Sequence, residues 1–197
     1  GSAFKPFVYI SALNKGYTPS TLILDAPYVI DQGPGLPKWK PANYSDEFYG
    51  LTTMRTGIEK SRNLMTIRLA NKIGVDTILS SAKDFKIEKY LDKNMSMSLG
   101  SGLVTLIDLA NAYGIIANGG KEIKPNIIKS IYSRKGIKIL DNSNKFCNNC
   151  KLEMINNNSK LPEINNTTKE VLDPKIAYQI TSMMEGVIQR GTARSLK

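Results

Sequence analysis

Ser2-Ala3-Phe4-Lys5 and Ser61-Arg62-Asn63 are the residues of this chain best suited to chemistry, and the chain contains no histidine. A serine nucleophile here has no imidazole to take its proton, so its base must be a lysine or a carboxylate. Ser2 and Lys5 stand three positions apart, which on a helix puts them on one face within reach of each other. At a helix N-terminus, free backbone N–H groups and the macrodipole favour negative charge developing near the nucleophile. A lysine ammonium withdrawn from water has its pKa lowered and can then accept the serine proton. Ser61 is a second hydroxyl able to relay that proton to a leaving amine. Asn63 supplies an amide that can donate to a substrate carbonyl and accept from an amide N–H. Taken alone, Ser61 would serve equally as a helix cap and Asn63 as a partner for local backbone. Ser80-Ser81-Ala82-Lys83 repeats the Ser-x-x-Lys spacing on what reads as a solvated helix surface, so spacing needs support from context.

The elements that must position these residues follow from apolar period and turn chemistry. Residues 4–13 carry apolar side chains at helical spacing, with Pro6 suited to the first turn. Residues 16–50 hold five of the prolines and read as a long irregular loop with one short strand over residues 28–31. Residues 51–73 read as two helices with Ser61-Arg62-Asn63 at the joint, closed by Gly74. Residues 75–84 and 105–117 read as helices, the second ending in Asn118-Gly119-Gly120. Residues 124–133 and 137–140 alternate around Lys135-Gly136 as a hairpin. Asp173-Pro174 opens a last helix that Gly191 ends.

With 197 residues and 41% hydrophobic composition, the chain is long enough to bury one good core. No run of about eighteen apolar residues marks a membrane span, and no charged-then-apolar leader stands at the start. The net charge of +10 is spread along the chain without interleaved aromatics, which argues against a nucleic-acid surface. Anionic lipid or a cell-wall polymer suits that sign better. Cys147 and Cys150 with no histidine cannot complete a four-ligand zinc site, so no metal or other cofactor is expected. They read as a local disulfide in an oxidising compartment or as two idle thiols, in an Asn-rich stretch over residues 141–168.

The two motifs, in this order, resemble those of the penicillin-binding proteins and serine β-lactamases, and the likeness is wider than the motifs. Gly1-Ser2-Ala3-Phe4-Lys5-Pro6-Phe7 resembles the nucleophile motif of class A penicillin-binding proteins. Trp39-Lys40-Pro41-Ala42-Asn43-Tyr44 and Phe48-Tyr49-Gly50-Leu51-Thr52-Thr53-Met54-Arg55 resemble the segment before their second motif, and Lys60-Ser61-Arg62-Asn63 that motif itself. Leu99-Gly100-Ser101, Leu109-Ala110-Asn111-Ala112-Tyr113 and Ala117-Asn118-Gly119-Gly120 are similar to their later helical signature. Met183-Met184-Glu185-Gly186-Val187 and Gly191-Thr192-Ala193 look like the stretch before their third motif. That third motif, Lys-Thr/Ser-Gly, does not follow before Lys197.

The resemblance implies a predominantly helical α+β chain: the helical core of the transpeptidase fold with a small β-hairpin, lacking most of the central antiparallel sheet. It divides into helical core (1–120 and 171–197), hairpin (121–140) and Asn-rich loop insert (141–170), in a domain cut at both ends. It implies a peptidoglycan D,D-transpeptidase with Ser2 as nucleophile, Lys5 as general base, Ser61 as proton relay and Asn63 as substrate-binding residue. The implied partners are D-Ala-D-Ala stem peptides and β-lactams, on the periplasmic face of a bacterial inner membrane, with the anchor elsewhere. A D,D-carboxypeptidase, a β-lactam sensor and a non-catalytic scaffold share the pattern. A class A β-lactamase fits less well, because no glutamate lies between Glu88 and Glu122. The chain as it stands is expected to be catalytically poor, with apolar surface that favours self-association.

Overall fold

The computed structural model describes residues 1–31, 33–142 and 168–197, with the backbone alone of the strands at 145–148 and 163–166. The paired cysteines of the sequence fall outside the described residues, apart from the backbone of Cys147. Helix α1 (Lys5–Asn14) is the centre of the molecule, preceded by a 3-10 turn over Ser2–Phe4. Every residue of α1 from Lys5 to Leu13 is buried, as expected of a helix that is apolar nearly all round. Pro6 sits in its first turn, where no intrahelical donor is lost. Helices α2 (Met54–Glu59), α3 (Asn63–Ile73), α4 (Val75–Asp84) and α6 (Pro174–Gln189) pack around it. Phe7 locks the packing with edge contacts to Phe85 at 5.2 Å and Tyr113 at 5.7 Å, the latter on α5 (Leu106–Ala117).

The predominantly helical architecture agrees with the sequence reading, and so does the boundary between α2 and α3 at Ser61-Arg62. The strands differ. Within residues 16–50, the strand is β1 (Leu22–Asp25), paired antiparallel with β2 (Gly50–Thr53) in the register Leu22↔Thr53 to Asp25↔Gly50. Ile30 makes only an isolated bridge with Trp39. A four-residue strand carries too little alternation to stand out among prolines, and its ladder depends on a partner far along the chain. Because β2 takes Gly50–Thr53, α2 starts only at Met54, with Thr53 capping it by accepting from the Thr56 N–H.

The expected hairpin is present as β3 (Ser130–Tyr132) and β4 (Lys138–Asp141), with a register shift after Ile131. The insert contains a further antiparallel pair, β5 (Lys145–Asn148) and β6 (Glu163–Asn166), where an irregular loop was expected. Among the described residues there are thus three separate two-stranded ladders, and no helix is long and apolar enough to cross a membrane.

The end of α6 is fixed onto α2 by a buried carboxylate. Arg190 Nη2 donates to Glu59 Oε1 at 2.6 Å, and Arg190 Nε donates to Oε2 at 3.2 Å. The Thr192 N–H donates to the Glu59 carbonyl at 3.2 Å, and Lys60 Nζ donates to the Arg190 carbonyl. Gly191 permits this approach: a methyl built on it would overlap the Glu59 carbonyl oxygen and meet the Val187 backbone at 2.7 Å. Backbone on both sides cannot rotate away. Gly191→Ala should therefore destabilise the fold by roughly 1–3 kcal/mol or more, as overpacking does. A urea midpoint unchanged by the substitution would contradict this close packing.

Candidate active site

The N-terminal turn of α1 and the α2–α3 joint meet, and their side chains form one hydrogen-bonded path. Lys5 is only 2% exposed. Its Nζ donates to the Ser61 carbonyl at 2.6 Å, to Ser61 Oγ at 2.9 Å and to Asn63 Oδ1 at 2.7 Å. Three acceptors use all three donors of an ammonium. Ser61 Oγ in turn donates to Ser2 Oγ at 3.1 Å. The four residues singled out by the sequence are thus brought together, with one difference of detail. Spacing places Ser2 and Lys5 on one face, but it is Ser61 that stands between the two.

Burial pulls the Lys5 ammonium down from 10.5 to about 8. Among the described residues no carboxylate pairs with it, so only neutral acceptors hold its charge. A lysine in this setting is mostly protonated at pH 7 yet deprotonates within reach of physiological pH.

The joint itself has a defined geometry. The Ser61 N–H donates to the Ile58 carbonyl at 3.0 Å and the Arg62 N–H to the Gly57 carbonyl at 2.8 Å. This is the double closure of a Schellman motif, and it puts Ser61 at the position that takes left-handed backbone. Its φ is +53°. Helices α1 and α5 close the same way on Gly16 and Gly119, and α4 on Lys86. Serine at such a site costs roughly 1–2 kcal/mol relative to an unstrained conformation. That strain aims the Ser61 hydroxyl and carbonyl at Lys5.

Asn63 begins α3, and its amide is held from both ends: Oδ1 accepts from Lys5, while Nδ2 donates to the Ala42 carbonyl at 2.8 Å. One amide N–H of its side chain is left for a ligand. These residues open onto a cleft of about 480 Å³ whose walls include Ser2, Tyr49, Arg62 and Thr192. The Arg62 guanidinium lies over the Tyr49 ring at 3.3 Å from its centroid. Tyr49 and Arg62 were matched only as parts of motifs, since no local pattern says that they face each other.

Because Ser61→Gly and Ser61→Ala both delete the hydroxyl, their difference isolates the backbone strain. Ser61→Gly should be the more stable by about 1 kcal/mol. Equal unfolding midpoints would show that the left-handed conformation carries no strain.

Comparisons with known proteins identify the family. A model of the penicillin binding protein transpeptidase domain matches residues 1–197. The chain is 44% identical over 198 residues to penicillin-binding protein 1A of Rickettsia bellii, covering all of the chain and 25% of that protein. It is 33% identical over 196 residues to penicillin-binding protein 1A of Neisseria gonorrhoeae, covering 98% of the chain and 22% of that protein. The chain thus spans about a quarter of the length of these curated relatives. Among solved structures, penicillin-binding protein 1A from Haemophilus influenzae superposes with a TM-score of 0.80 at 29% identity, over 98% of this chain and 30% of that one. An imipenem acyl-enzyme complex of penicillin-binding protein A from Mycobacterium tuberculosis shares the fold, with a TM-score of 0.72 at 19% identity, over 98% of this chain and 44% of that one. The chain belongs to the penicillin-binding protein transpeptidase domain family.

Proposed function

We propose that this chain carries the acylation centre of a peptidoglycan D,D-transpeptidase, with Ser2 as the nucleophile. The observation that carries the reading is the continuous path Ser2–Ser61–Lys5–Asn63 beside an open cleft. In the reactive state Lys5 is neutral. Ser61 then donates to the Lys5 lone pair and accepts from Ser2, so the Ser2 proton passes through Ser61 to Lys5 as Ser2 Oγ attacks the D-Ala-D-Ala carbonyl. The free N–H of the Asn63 amide donates to the peptide carbonyl next to the scissile bond. The C–N bond breaks as the proton passes from Lys5 through Ser61 to the leaving nitrogen, D-alanine departs, and Ser2 is left as an ester. The amine of a second stem peptide attacks that ester, and Ser2 regains its proton as the cross-link forms. A β-lactam opens on the same serine. The setting is the periplasmic face of a bacterial inner membrane, where a peptidoglycan substrate would be found.

The pH dependence follows from the lowered lysine. Only neutral Lys5 can accept a proton, so the second-order acylation constant should rise about tenfold per pH unit below 8 and level off above it. Fluorescent penicillin labelling of the intact gene product across pH 6–10 reads this limb. Ser2→Ala should abolish the label, and Lys5→Ala should lower the rate by orders of magnitude and remove the limb. Ser61→Ala should reduce the chemical step far more than initial binding. Labelling of Ser2→Ala or Lys5→Ala at the wild-type rate would overturn the assignment.

A further inference from the structure

Helix α3 needs an acceptor for its first N–H groups, and its own N-cap residue, Arg62, offers no side-chain bond. The acceptor comes from twenty residues away. Asn43, 4% exposed in the loop between β1 and β2, accepts from the Asn63 N–H at 3.0 Å and the Leu64 N–H at 3.2 Å through one oxygen. Its Nδ2 is equally committed, donating to Asp25 Oδ1 at 2.8 Å and to the Glu47 carbonyl at 2.9 Å. Both ends of the Asn43 amide are therefore fixed, and only the asparagine orientation with oxygen towards α3 satisfies both sets of partners.

Asp25 is fully buried at the end of β1. Among the described residues its Oδ2 has no hydrogen-bond partner, and the Arg62 Nε stands 3.9 Å away. A buried carboxylate behind the Asn43 amide polarises it and makes its oxygen a stronger acceptor for the positive end of α3. The line then runs on: Asn43 seats Asn63, Asn63 Oδ1 holds Lys5 Nζ, and the neighbouring carbonyl of Ala42 holds the Asn63 amide from the other side. A buried aspartate on a strand, a loop asparagine and the reactive lysine form one chain of contacts.

We propose that Asn43, anchored by Asp25, is a positioning residue of the acylation centre: it fixes the start of α3 and thereby the Asn63 amide that holds Lys5. The inference rests on the acylation reading above. Asn43 touches neither Ser2 nor Lys5 and acts through Asn63.

An exchange of the two side chains tests it. Asn43→Asp keeps an acceptor for α3 but sets a carboxylate directly against that of Asp25. Asp25→Asn still offers an acceptor to Asn43 but removes the charge behind it, so it should slow acylation less than Asn43→Asp does. In the double variant Asn43→Asp/Asp25→Asn the new amide at 25 donates to the new carboxylate at 43, so the pair re-forms with donor and acceptor exchanged. The Glu47 carbonyl loses its donor in both Asn43 variants, so recovery is partial. Penicillin labelling of the intact gene product, with binding and acylation resolved by saturation, is run beside hydrogen exchange on peptides covering residues 61–66. Asn43→Asp should slow the acylation step about tenfold to a hundredfold and speed exchange there, with the saturation constant little changed. The double variant should regain most of both losses.

A double variant no better than Asn43→Asp overturns the proposal. So does faster exchange in Asn43→Asp with an unchanged acylation rate, because the cap would then be structural only. Should Asn43→Asp fail to fold, recovery of folded, labelling protein in the double variant still reports the coupling, and its absence counts against it. A Ser2→Ala control that still labels overturns the nucleophile assignment and this proposal with it. A Ser2-dependent label indifferent to residue 43 overturns the positioning alone.

Discussion

A lysine ammonium buried, among the described residues, against neutral acceptors alone is the constraint on which the rest of this structure depends. Withdrawing such a charge from water costs several kcal/mol even after relaxation. Each hydrogen bond to a charged group returns about 1.5–3 kcal/mol. Three such bonds, to the Ser61 carbonyl, Ser61 Oγ and Asn63 Oδ1, nearly offset the cost. Burial accordingly lowers Lys5 to about 8, below an exposed lysine. A carboxylate partner would favour the charged form and spoil the base. An apolar pocket would leave no path for the proton.

Those three acceptors must be held, and much of the molecule serves that end. The acceptors come from one short joint, so α2 must end and α3 begin with only Lys60, Ser61 and Arg62 between them. Ser61 takes left-handed backbone to let them do so. The joint is then braced from two sides. Asn43 and Ala42 hold the α3 side. Glu59, through Arg190 and the Thr192 N–H, ties the α2 side to the end of α6. Central α1 brings Ser2 and Lys5 to the joint because its remaining residues are apolar on nearly every face and can only be buried.

How much of this can be read from sequence depends on the range of each interaction. Helix α4 spans the residues that its period and Gly74 define, because both signals are local. Ser2 and Lys5 were legible as a pair because helical spacing is local, and Ser61 and Asn63 joined them through the resemblance to the penicillin-binding proteins. Strands β1 and β2 were not, since Leu22 pairs with Thr53 and the proline-rich sequence between them hides a four-residue alternation. The left-handed Ser61 has no local marker, because glycine is the usual sign of that backbone. Asn43 and Asp25 look like ordinary polar residues of a loop and a strand. Only their shared burial, eighteen positions apart, shows what they do.

The central claim is that the strained joint, the buried lysine and the cleft serve a nucleophile at Ser2. The most direct measurement is to locate the adduct. The intact gene product is treated with benzylpenicillin at pH 8, digested, and the modified peptide is sequenced by mass spectrometry. The account predicts one penicilloyl group per chain, on the Ser2 hydroxyl. An adduct on Ser61, on Lys5 or on any other residue, with Ser2 unmodified, would contradict it.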